Sequence, residues 1–221
     1  MKIAGGIKED GIVVGNIFDK YASANPIVKW IMKGFNDSLS GLVTKSAPKT
    51  IHELGCGEGY WVTHWTGQGI ETHGSDFSSQ VIKLAAKNAV AEGLSPNIFK
   101  QCSIYNVNPD HDSADLIICC EVLEHLKRPD EGLLAMQQIV KKYLILSVPN
   151  EPVWRILNII RAKYLSNLGN TPGHIQHWSC SAFIKMVANY FDIIEVKKPF
   201  PWTMLLCKPK SKPEMPNLQK D

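Results

Sequence analysis

Long apolar runs are missing from this 221-residue sequence. No stretch reaches the roughly 20 residues that a transmembrane helix needs, and the first residues lack the apolar run of a secretory signal. We therefore expect a cytoplasmic protein. A chain of this length with 44% hydrophobic residues can bury one ordinary core.

Concentrated charge is also missing. The 24 basic and 21 acidic residues leave a formal net charge of +3, and the lysines and arginines are scattered along the chain. Proteins that bind nucleic acids usually gather basic residues in a stripe or an arm. We expect no nucleic-acid partner.

The six cysteines form neither a disulfide framework nor a metal-binding pattern. They are widely scattered apart from the adjacent Cys119 and Cys120, with no CxxC motif and no Cys/His spacing typical of zinc. We interpret them as reduced, mostly buried thiols, and we predict no metal site.

Strand-like and helix-like segments alternate through the middle of the chain, which indicates an α/β fold with helices on both faces of a mostly parallel sheet. The predicted strands are 50–54, 70–75, 97–102, 114–120 and 143–148, and the predicted helices between them are 59–68, 78–92 and 130–141. Two closing strands, 192–199 and 202–209, are joined by a short turn and must be antiparallel. The fold class is therefore a doubly wound, seven-stranded sheet with an antiparallel C-terminal strand.

The chain divides into three parts around this pattern. Residues 1–45 form an N-terminal lid, with loops or a hairpin followed by a helix from Asn25 to about Leu42. Residues 46–209 form the main domain, which includes an insertion at 150–179, and 210–221 form a mobile tail. The N-terminal helix is expected to bury one face, formed by Ile27, Trp30, Ile31 and Phe35.

The segment IHELGCGEGYW, residues 51–61, places glycines after a short strand. A dinucleotide-binding fingerprint needs a third glycine where Tyr60 stands, and a P-loop needs a GK[ST] sequence that does not follow. The loop is therefore suited to close approach of a ligand without a diphosphate. Glu53 beneath it suits an ammonium or sulfonium charge. Asp76 ends the next strand, where such folds place a carboxylate on ribose hydroxyls.

Together, ELGCGEG, GSDFS and CCEVLEHL resemble the class I S-adenosylmethionine-dependent methyltransferases, particularly the branch that methylates quinones, lipids and other small molecules. The resemblance covers residues 50–150, and the final strand pair is similar to that family's sheet edge. It implies a Rossmann-like methyltransferase fold, S-adenosylmethionine as the cofactor and transferase activity.

The resemblance also implies a role for each residue of the cofactor site. The backbone of Gly55, Cys56 and Gly57 would approach the methionine and ribose parts, and Glu53 would order the amino group. Asp76 would accept hydrogen bonds from both ribose hydroxyls.

Four more residues complete the implied cofactor site. Phe77 would lie along the adenine, and Ile104 would pack on the other face of the ring. Ser103 stands where the family usually has an acid for the adenine amino group. Cys120 and Glu121 would lie near the methyl group, while a structural role is expected for His125 in the LEHL segment that it forms with Glu124.

Residues that contact the methyl acceptor are expected outside the core pattern. Tyr21 would help to close the N-terminal lid. The loop GNTPGHIQHWS contains His174 and His177, which are the candidate bases because imidazole titrates near neutrality. Trp178 is a candidate substrate contact. Histidines that merely anchor this loop are the alternative.

Residues 152–168 carry apolar side chains at helical spacing together with Arg155 and Arg161. The apolar positions are Trp154, Leu157, Ile160, Tyr164 and Leu168. One interpretation is a lid that packs on the domain, and the other is a basic amphipathic surface for a lipid-linked substrate or a membrane.

The expected function is methyl transfer from S-adenosylmethionine to a small-molecule acceptor, with an oxygen nucleophile favoured. One alternative is a lipid-linked or quinone-like acceptor at a membrane interface. Another is a non-catalytic protein that kept the fold and binds the cofactor, and a redox enzyme is a more distant possibility. Methylation of nucleic acids is disfavoured because CCEV stands where a DPPY-type tetrapeptide would be.

Overall fold

The computed structural model describes residues 1–9, 12–161, 164, 167–171 and 173–210. The predicted mobile tail lies outside the described residues from position 211 onward. The predicted N-terminal hairpin is present, formed by β1 (Lys8–Glu9) and β2 (Ile12–Val13). The proposed division of the chain at residue 45 stays a prediction.

Seven further strands form one sheet, as predicted. They are β3 (Thr50–Leu54), β4 (Glu71–Asp76), β5 (Phe99–Gln101), β6 (Ala114–Cys120), β7 (Val140–Pro149), β8 (Phe191–Lys197) and β9 (Trp202–Pro209). Their order in the sheet is β5-β4-β3-β6-β7-β9-β8. Within this sheet of the described residues, only the pairings of β9 with β7 and β8 are antiparallel, which confirms the doubly wound topology with antiparallel strands at its C-terminal edge.

Seven α-helices flank the sheet in the described part of the chain. They are α1 (Pro26–Ser46), α2 (Tyr60–Gly67), α3 (Ser79–Ala91), α4 (Pro109–Asp112), α5 (Pro129–Ile139), α6 (Val153–Ile160) and α7 (Cys180–Val187). The predicted cap of α3 is confirmed, because the Ser78 hydroxyl accepts a hydrogen bond from the Val81 amide at 3.2 Å. None of the helices in the described residues is long and apolar enough to cross a bilayer.

Strand β6 packs against helices on both faces of the sheet. Leu116 and Ile118 pack in a cluster with residues of α1 and α2, whereas Ile117 and Cys119 pack with residues of α5 and α7. Successive side chains of a strand point to opposite faces, so a strand that is buried on both faces is apolar throughout. The continuous apolar run in ADLIICC therefore belongs to the centre of a three-layer fold.

The predicted buried face of α1 is partly wrong. Ile27 is 66% exposed and Trp30 is 64% exposed, while Phe35 is buried. The buried positions that follow helical spacing are Met32, Phe35, Leu39, Leu42 and Val43. This stripe extends over the later turns of the helix, which pack on the sheet, whereas the predicted stripe was drawn through the first turns.

The predicted helical stripe over residues 154–168 is also wrong beyond Ile160, where α6 ends. Tyr164 has a φ of 54° and Leu168 a φ of 49°. Both angles are left-handed, so neither residue can continue a right-handed helix. Residues 162, 163, 165 and 166 lie outside the described part of the chain.

Candidate active site

The glycine loop follows β3 at the carboxyl edge of the sheet, where open α/β folds bind ligands, and we call this region the crevice. The Gly55 and Cys56 amides both donate to the Ser75 carbonyl of β4, at 2.7 and 3.0 Å. Gly57 has a φ of 53°, and a Cβ at this position would meet no atom within 4 Å. A Cβ at Gly55 would lie 2.3 Å from Val122. The loop is thus anchored to β4, and a ligand can approach its backbone at Gly57.

Asp76 joins this loop to the end of β4. Its Oδ2 accepts a hydrogen bond from the Gly57 amide at 3.2 Å, and its Oδ1 accepts one from the Ser78 amide at 3.0 Å. Burial raises the pKa of the Asp76 carboxyl, although the two amides act in the opposite direction. Each carboxylate oxygen retains acceptor capacity, so Asp76 can still receive two hydroxyl groups.

The residues expected around the adenine lie at the ends of β4 and β5. Phe77 is 43% exposed, whereas Ile104 is 8% exposed and packs in the core beneath α5. The Ser103 hydroxyl accepts only a long hydrogen bond, 3.4 Å, from the Tyr105 amide. It therefore remains able to accept another donor, and its predicted contact with the adenine amino group stays a prediction.

Glu53 is a buried acid without a full set of partners. It is 6% exposed, and its Oε2 has no hydrogen-bond partner. Burial raises the pKa of the Glu53 carboxyl to about 8, although the Val62 amide and Lys20 favour the charged form. A buried carboxylate becomes favourable when a cation pairs with it, and the ammonium of a bound amino acid moiety would supply one.

Glu121 follows the last residue of β6 in a strained backbone conformation, with a φ of 59°. Its Oε1 accepts a hydrogen bond from the Ser147 hydroxyl at 3.0 Å, and its Oε2 accepts one from the Trp202 indole. Burial raises the pKa of the Glu121 carboxyl to about 7. Cys120 pairs with Ser147 in the sheet, so both residues lie where β6 and β7 end together, at the edge where open α/β sheets bind ligands.

Three further side chains meet beside this position, and we call Glu124, His125 and His174 the acid–imidazole group. Their ligand atoms all lie within 4.8 Å of one another. The amides of Ile175 and Gln176 donate to the Glu124 carbonyl at 2.9 and 3.0 Å, which brings the histidine loop to the end of β6.

The acid–imidazole group has the donors of a divalent-cation site. Glu124 is 1% exposed, and neither carboxylate oxygen has a hydrogen-bond partner. The His125 Nδ1 bonds the Gly173 carbonyl at 2.9 Å, which leaves its Nε2 available. Such a contact from the second ring nitrogen typically orients a metal-binding histidine. Burial, followed by the neighbouring histidines, lowers the pKa of His174 to about 3.

The meeting of these three side chains was not predicted from the sequence. His125 was expected to be structural and His174 to act as a base, with no metal, and these roles stay predictions. The available signal was the pair Glu124–His125 directly after β6, together with a histidine in the later loop. Nothing in the spacing shows that a loop so far along the chain returns to β6.

The other predicted acceptor-side residues have separate surroundings. The His177 Nδ1 lies 3.6 Å from Glu151 Oε1. The Trp178 ring packs 6.0 Å from the Phe183 ring in the core beneath α7. Their predicted roles toward a substrate stay predictions.

Tyr21 brings the N-terminal segment to the crevice. Its ring stacks on Tyr60 with centroids 3.6 Å apart, and it meets Trp61 edge-on at 6.2 Å. Burial raises the pKa of Tyr21 well above its ordinary value, and the nearby Glu53 carboxyl adds to the effect. Tyr21 therefore lies beside the glycine loop, as a lid residue would, although a contact with substrate stays a prediction.

Two curated relatives are similar over 65% of the chain. A ubiquinone biosynthesis O-methyltransferase of Aeromonas salmonicida is 25% identical over 148 residues, which cover 65% of this chain and 59% of that protein. One of Paraburkholderia phytofirmans is 27% identical over 148 residues, 65% of this chain and 60% of that protein. The chain thus spans about 60% of the length of these relatives.

Solved structures share the fold at low sequence identity. A magnesium protoporphyrin IX methyltransferase from Synechocystis, with SAH bound, has a TM-score of 0.63 and 17% identity, covering 86% of this chain and 90% of its own. The PH0226 protein of Pyrococcus horikoshii has a TM-score of 0.68 and 14% identity, covering 88% and 97%. These likenesses confirm the predicted methyltransferase-type fold.

The family is established by a match that extends over most of the chain. Residues 32–195 match the family model described as "Methyltransferase domain". This range contains the glycine loop, Asp76 and the acid–imidazole group. The chain therefore belongs to the methyltransferase domain family, as the resemblance of the three sequence motifs implied.

Proposed function

We propose that this chain transfers the methyl group of S-adenosylmethionine to a hydroxyl oxygen of a small, quinone-like molecule. The acid–imidazole group carries this proposal, because an oxygen acceptor must lose its proton whereas a thiolate has none to lose. Glu124 and His125 follow β6 in the chain, and His174 meets them there, beside the expected place of the methyl group. The relatives named as ubiquinone biosynthesis O-methyltransferases support the same acceptor class.

The cofactor supplies an electrophilic methyl carbon, and the chain's own residues position the reactants. Glu53 would pair with the ammonium group, and Asp76 would hold the ribose hydroxyls. These two contacts would hold the cofactor by its amino acid and ribose parts, with its methyl group expected near the end of β6. Alignment of nucleophile, methyl carbon and sulfur is then the main source of rate enhancement.

The acid–imidazole group would hold a divalent cation beside the acceptor. Carboxylate and imidazole ligands suit several divalent metals, and Glu124 has two buried oxygens without partners. A bound cation would supply Lewis acidity toward the acceptor hydroxyl. His177, which lies beside Glu151, is then the candidate that accepts the proton.

Titration with Mn²⁺ tests this arrangement without reference to turnover. Calorimetry should show Mn²⁺ binding to the wild-type chain, weakened about tenfold or more in Glu124→Gln because a charged ligand is lost. Glu131→Gln is the matched control, since Glu131 pairs with Arg128 at the surface. Absence of Mn²⁺ binding to the wild type would contradict the cation site.

Assays with ring-hydroxylated acceptors then test the reaction. The wild-type chain should form an O-methyl product, and chelation should reduce the rate. Binding of S-adenosylhomocysteine without product from any hydroxyl acceptor, with or without Mn²⁺, would instead favour the alternative of a non-catalytic cofactor-binding protein.

A second observation favours an acceptor carried in a lipid bilayer. On α6 only Asn158 is fully buried, and Trp154 packs against the core, whereas the isoleucines of the helix face outward. Exposed apolar side chains on α6 and the loop after it are Ile156 at 50%, Ile159 at 45%, Ile160 at 75%, Leu168 at 69% and Ile175 at 50%. Arg155 and Arg161 flank them, so the surface fits an anionic bilayer.

Cosedimentation with vesicles containing anionic lipid tests this contact. The wild type should bind at low salt, and Ile156→Ser with Ile160→Ser should reduce binding several-fold because apolar area is lost from the interface. Val90→Ser is the control, since Val90 is 57% exposed on α3. Failure of the wild type to bind would remove the membrane contact and leave the methyltransferase proposal intact. A cytoplasmic location stays a prediction.

A further inference from the structure

Glu58 is a buried acid in the glycine loop that the proposed reaction does not use. It is 1% exposed and lies between Gly57 and Gly59. Its Oε1 accepts hydrogen bonds from the Ala4 amide at 3.0 Å and the Asn16 amide at 2.6 Å. Its Oε2 accepts one from the Asn16 side-chain amide. Every one of these donors belongs to the N-terminal segment.

The contact leaves little space between this segment and the loop. Gly15 has a φ of 65°, and a Cβ at this position would lie 2.6 Å from Glu58 Oε1. The backbone of the segment therefore packs directly on the carboxylate. We call the described residues 2–9 and 12–21 the strap.

Two further anchors attach the strap to α3. The Glu9 carboxylate accepts hydrogen bonds from the Ser79 hydroxyl at 3.0 Å and the Ser79 amide at 3.2 Å, and also from the Ser78 hydroxyl. Asn88 exchanges hydrogen bonds with the Lys2 backbone at 2.9 Å and donates to the Glu58 carbonyl at 3.0 Å. The Ser78 amide also donates to Asp76 Oδ1. The anchor formed by Glu9 therefore lies next to the carboxylate that is expected to bind the ribose.

The far end of the strap reaches the crevice itself. Tyr21 stacks on Tyr60, the first residue of α2, directly after the glycine loop. The strap is thus attached on both sides of the expected cofactor site. Glu58 holds it to the glycine loop after β3, and Ser78 and Ser79 hold it to the segment after β4. Movement of either loop must be transmitted to the strap, and the reverse also holds.

We infer that Glu58 is a positioning residue that fastens the strap over the cofactor crevice, so that release of this contact sets the rate of cofactor exchange. The inference concerns the cofactor side and does not depend on the acceptor or on a metal. The Glu58 carboxylate is bonded to the N-terminal segment, so we expect it to act through the strap and not by contact with the cofactor. Its loss should therefore change cofactor affinity and leave the bound cofactor as reactive as before.

Exchange of the amide of Asn16 and the carboxylate of Glu58 tests the contact. Asn16→Asp places two carboxylates together and should open the strap. Glu58→Gln should be tolerated, because its amide oxygen can accept the two backbone donors while its NH₂ group donates to a rotated Asn16 amide. In the E58Q background, Asn16→Asp should again be tolerated, because the amide then donates to the new carboxylate.

Two measurements report whether the strap opens and whether the ligand then leaves faster. Trypsin cleavage after Lys8 or Lys20 reports opening, and stopped-flow measurement of S-adenosylhomocysteine reports its dissociation rate. With Asn16→Asp or Glu58→Ala, both rates should rise about tenfold or more, as expected when hydrogen bonds to a carboxylate are lost. KM for S-adenosylmethionine should rise by a similar factor while the single-turnover rate at saturation stays unchanged.

Glu92→Ala is the control, since Glu92 is exposed just after α3. Restoration of both rates in the double variant supports the direct contact. Unchanged cleavage and dissociation in Asn16→Asp would overturn the inference. If Glu58→Ala fails to fold, the swap pair still decides, because it retains hydrogen-bonding groups at both positions.

Discussion

The two sides of the crevice differ in how they are held. On the cofactor side, short loops leave β3 and β4 and are fastened by main-chain contacts, such as those from Gly55 and Cys56 to the Ser75 carbonyl. On the acceptor side, residues 150–179 separate β7 from α7, and α6 buries only Asn158. Short loops on strands keep a fixed geometry, whereas long surface segments tolerate change. The contrast suggests that the first side serves the shared cofactor and that the second determines the acceptor.

Asp76→Ala should produce the largest change, confined to the cofactor side. The variant loses two charge-assisted hydrogen bonds to the ribose, together worth about 3 kcal/mol, or about 150-fold in affinity. Calorimetry with S-adenosylhomocysteine measures this loss. Asp37→Ala is the control, because Asp37 pairs with Lys33 in an exposed salt bridge. Equal affinity in the two variants would contradict the role given to Asp76.

The positions of Gly57 and Asp76 were predictable from the sequence because both residues lie next to strand ends, and their contacts with the cofactor stay predictions. Gly57 follows β3, and Asp76 ends β4, so position in the chain largely determines position in space. Strand β9 and the antiparallel sheet edge were predictable for a similar reason, since a short turn joins β8 to β9.

The acceptor side was not predictable because its contacts join distant segments. Glu121 binds the Trp202 indole, 81 residues away. His125 meets the Gly173 carbonyl, 48 residues away. Periodicity also overextended α6, because it does not register the left-handed backbone at Tyr164. Local patterns thus predict elements and strand-end motifs but not the return of a long segment.

The histidines should give the next largest change, confined to the acceptor side. His177→Ala should lower the turnover number about 100-fold, which is the lower end of the range for loss of a general base. Its affinity for S-adenosylhomocysteine should be unchanged. His174→Ala should lower turnover and also weaken Mn²⁺ binding, because it removes a ligand.

His111→Ala is the matched control, since His111 is exposed in α4. Steady-state kinetics together with the two titrations separate the three variants. Unchanged turnover in both His174→Ala and His177→Ala would remove these histidines from the reaction, and the loop would then be interpreted as an anchor alone.

The smallest effect concerns Glu53, whose folded-state pKa of about 8 lies above the ordinary 4.5. For such a group, the contribution to stability is fully present below pH 4.5 and is lost as the pH rises through about 8. An ammonium placed beside Glu53 favours the ionised form. Binding of S-adenosylhomocysteine at pH 7 should therefore release a proton, and affinity should increase from pH 6 to 8 by at most about tenfold per unit.

Calorimetry in buffers with different ionisation enthalpies measures the released proton directly. Glu53→Gln should abolish both the proton release and the pH dependence, because the amide does not titrate, and its affinity should stay low throughout. Other buried acids titrate in the same range, since burial also raises the pKa of Glu121 to about 7. The difference between wild type and variant therefore isolates Glu53. If Glu53→Gln releases as many protons as the wild type, the ammonium lies elsewhere, and the buried oxygen of Glu53 requires another partner.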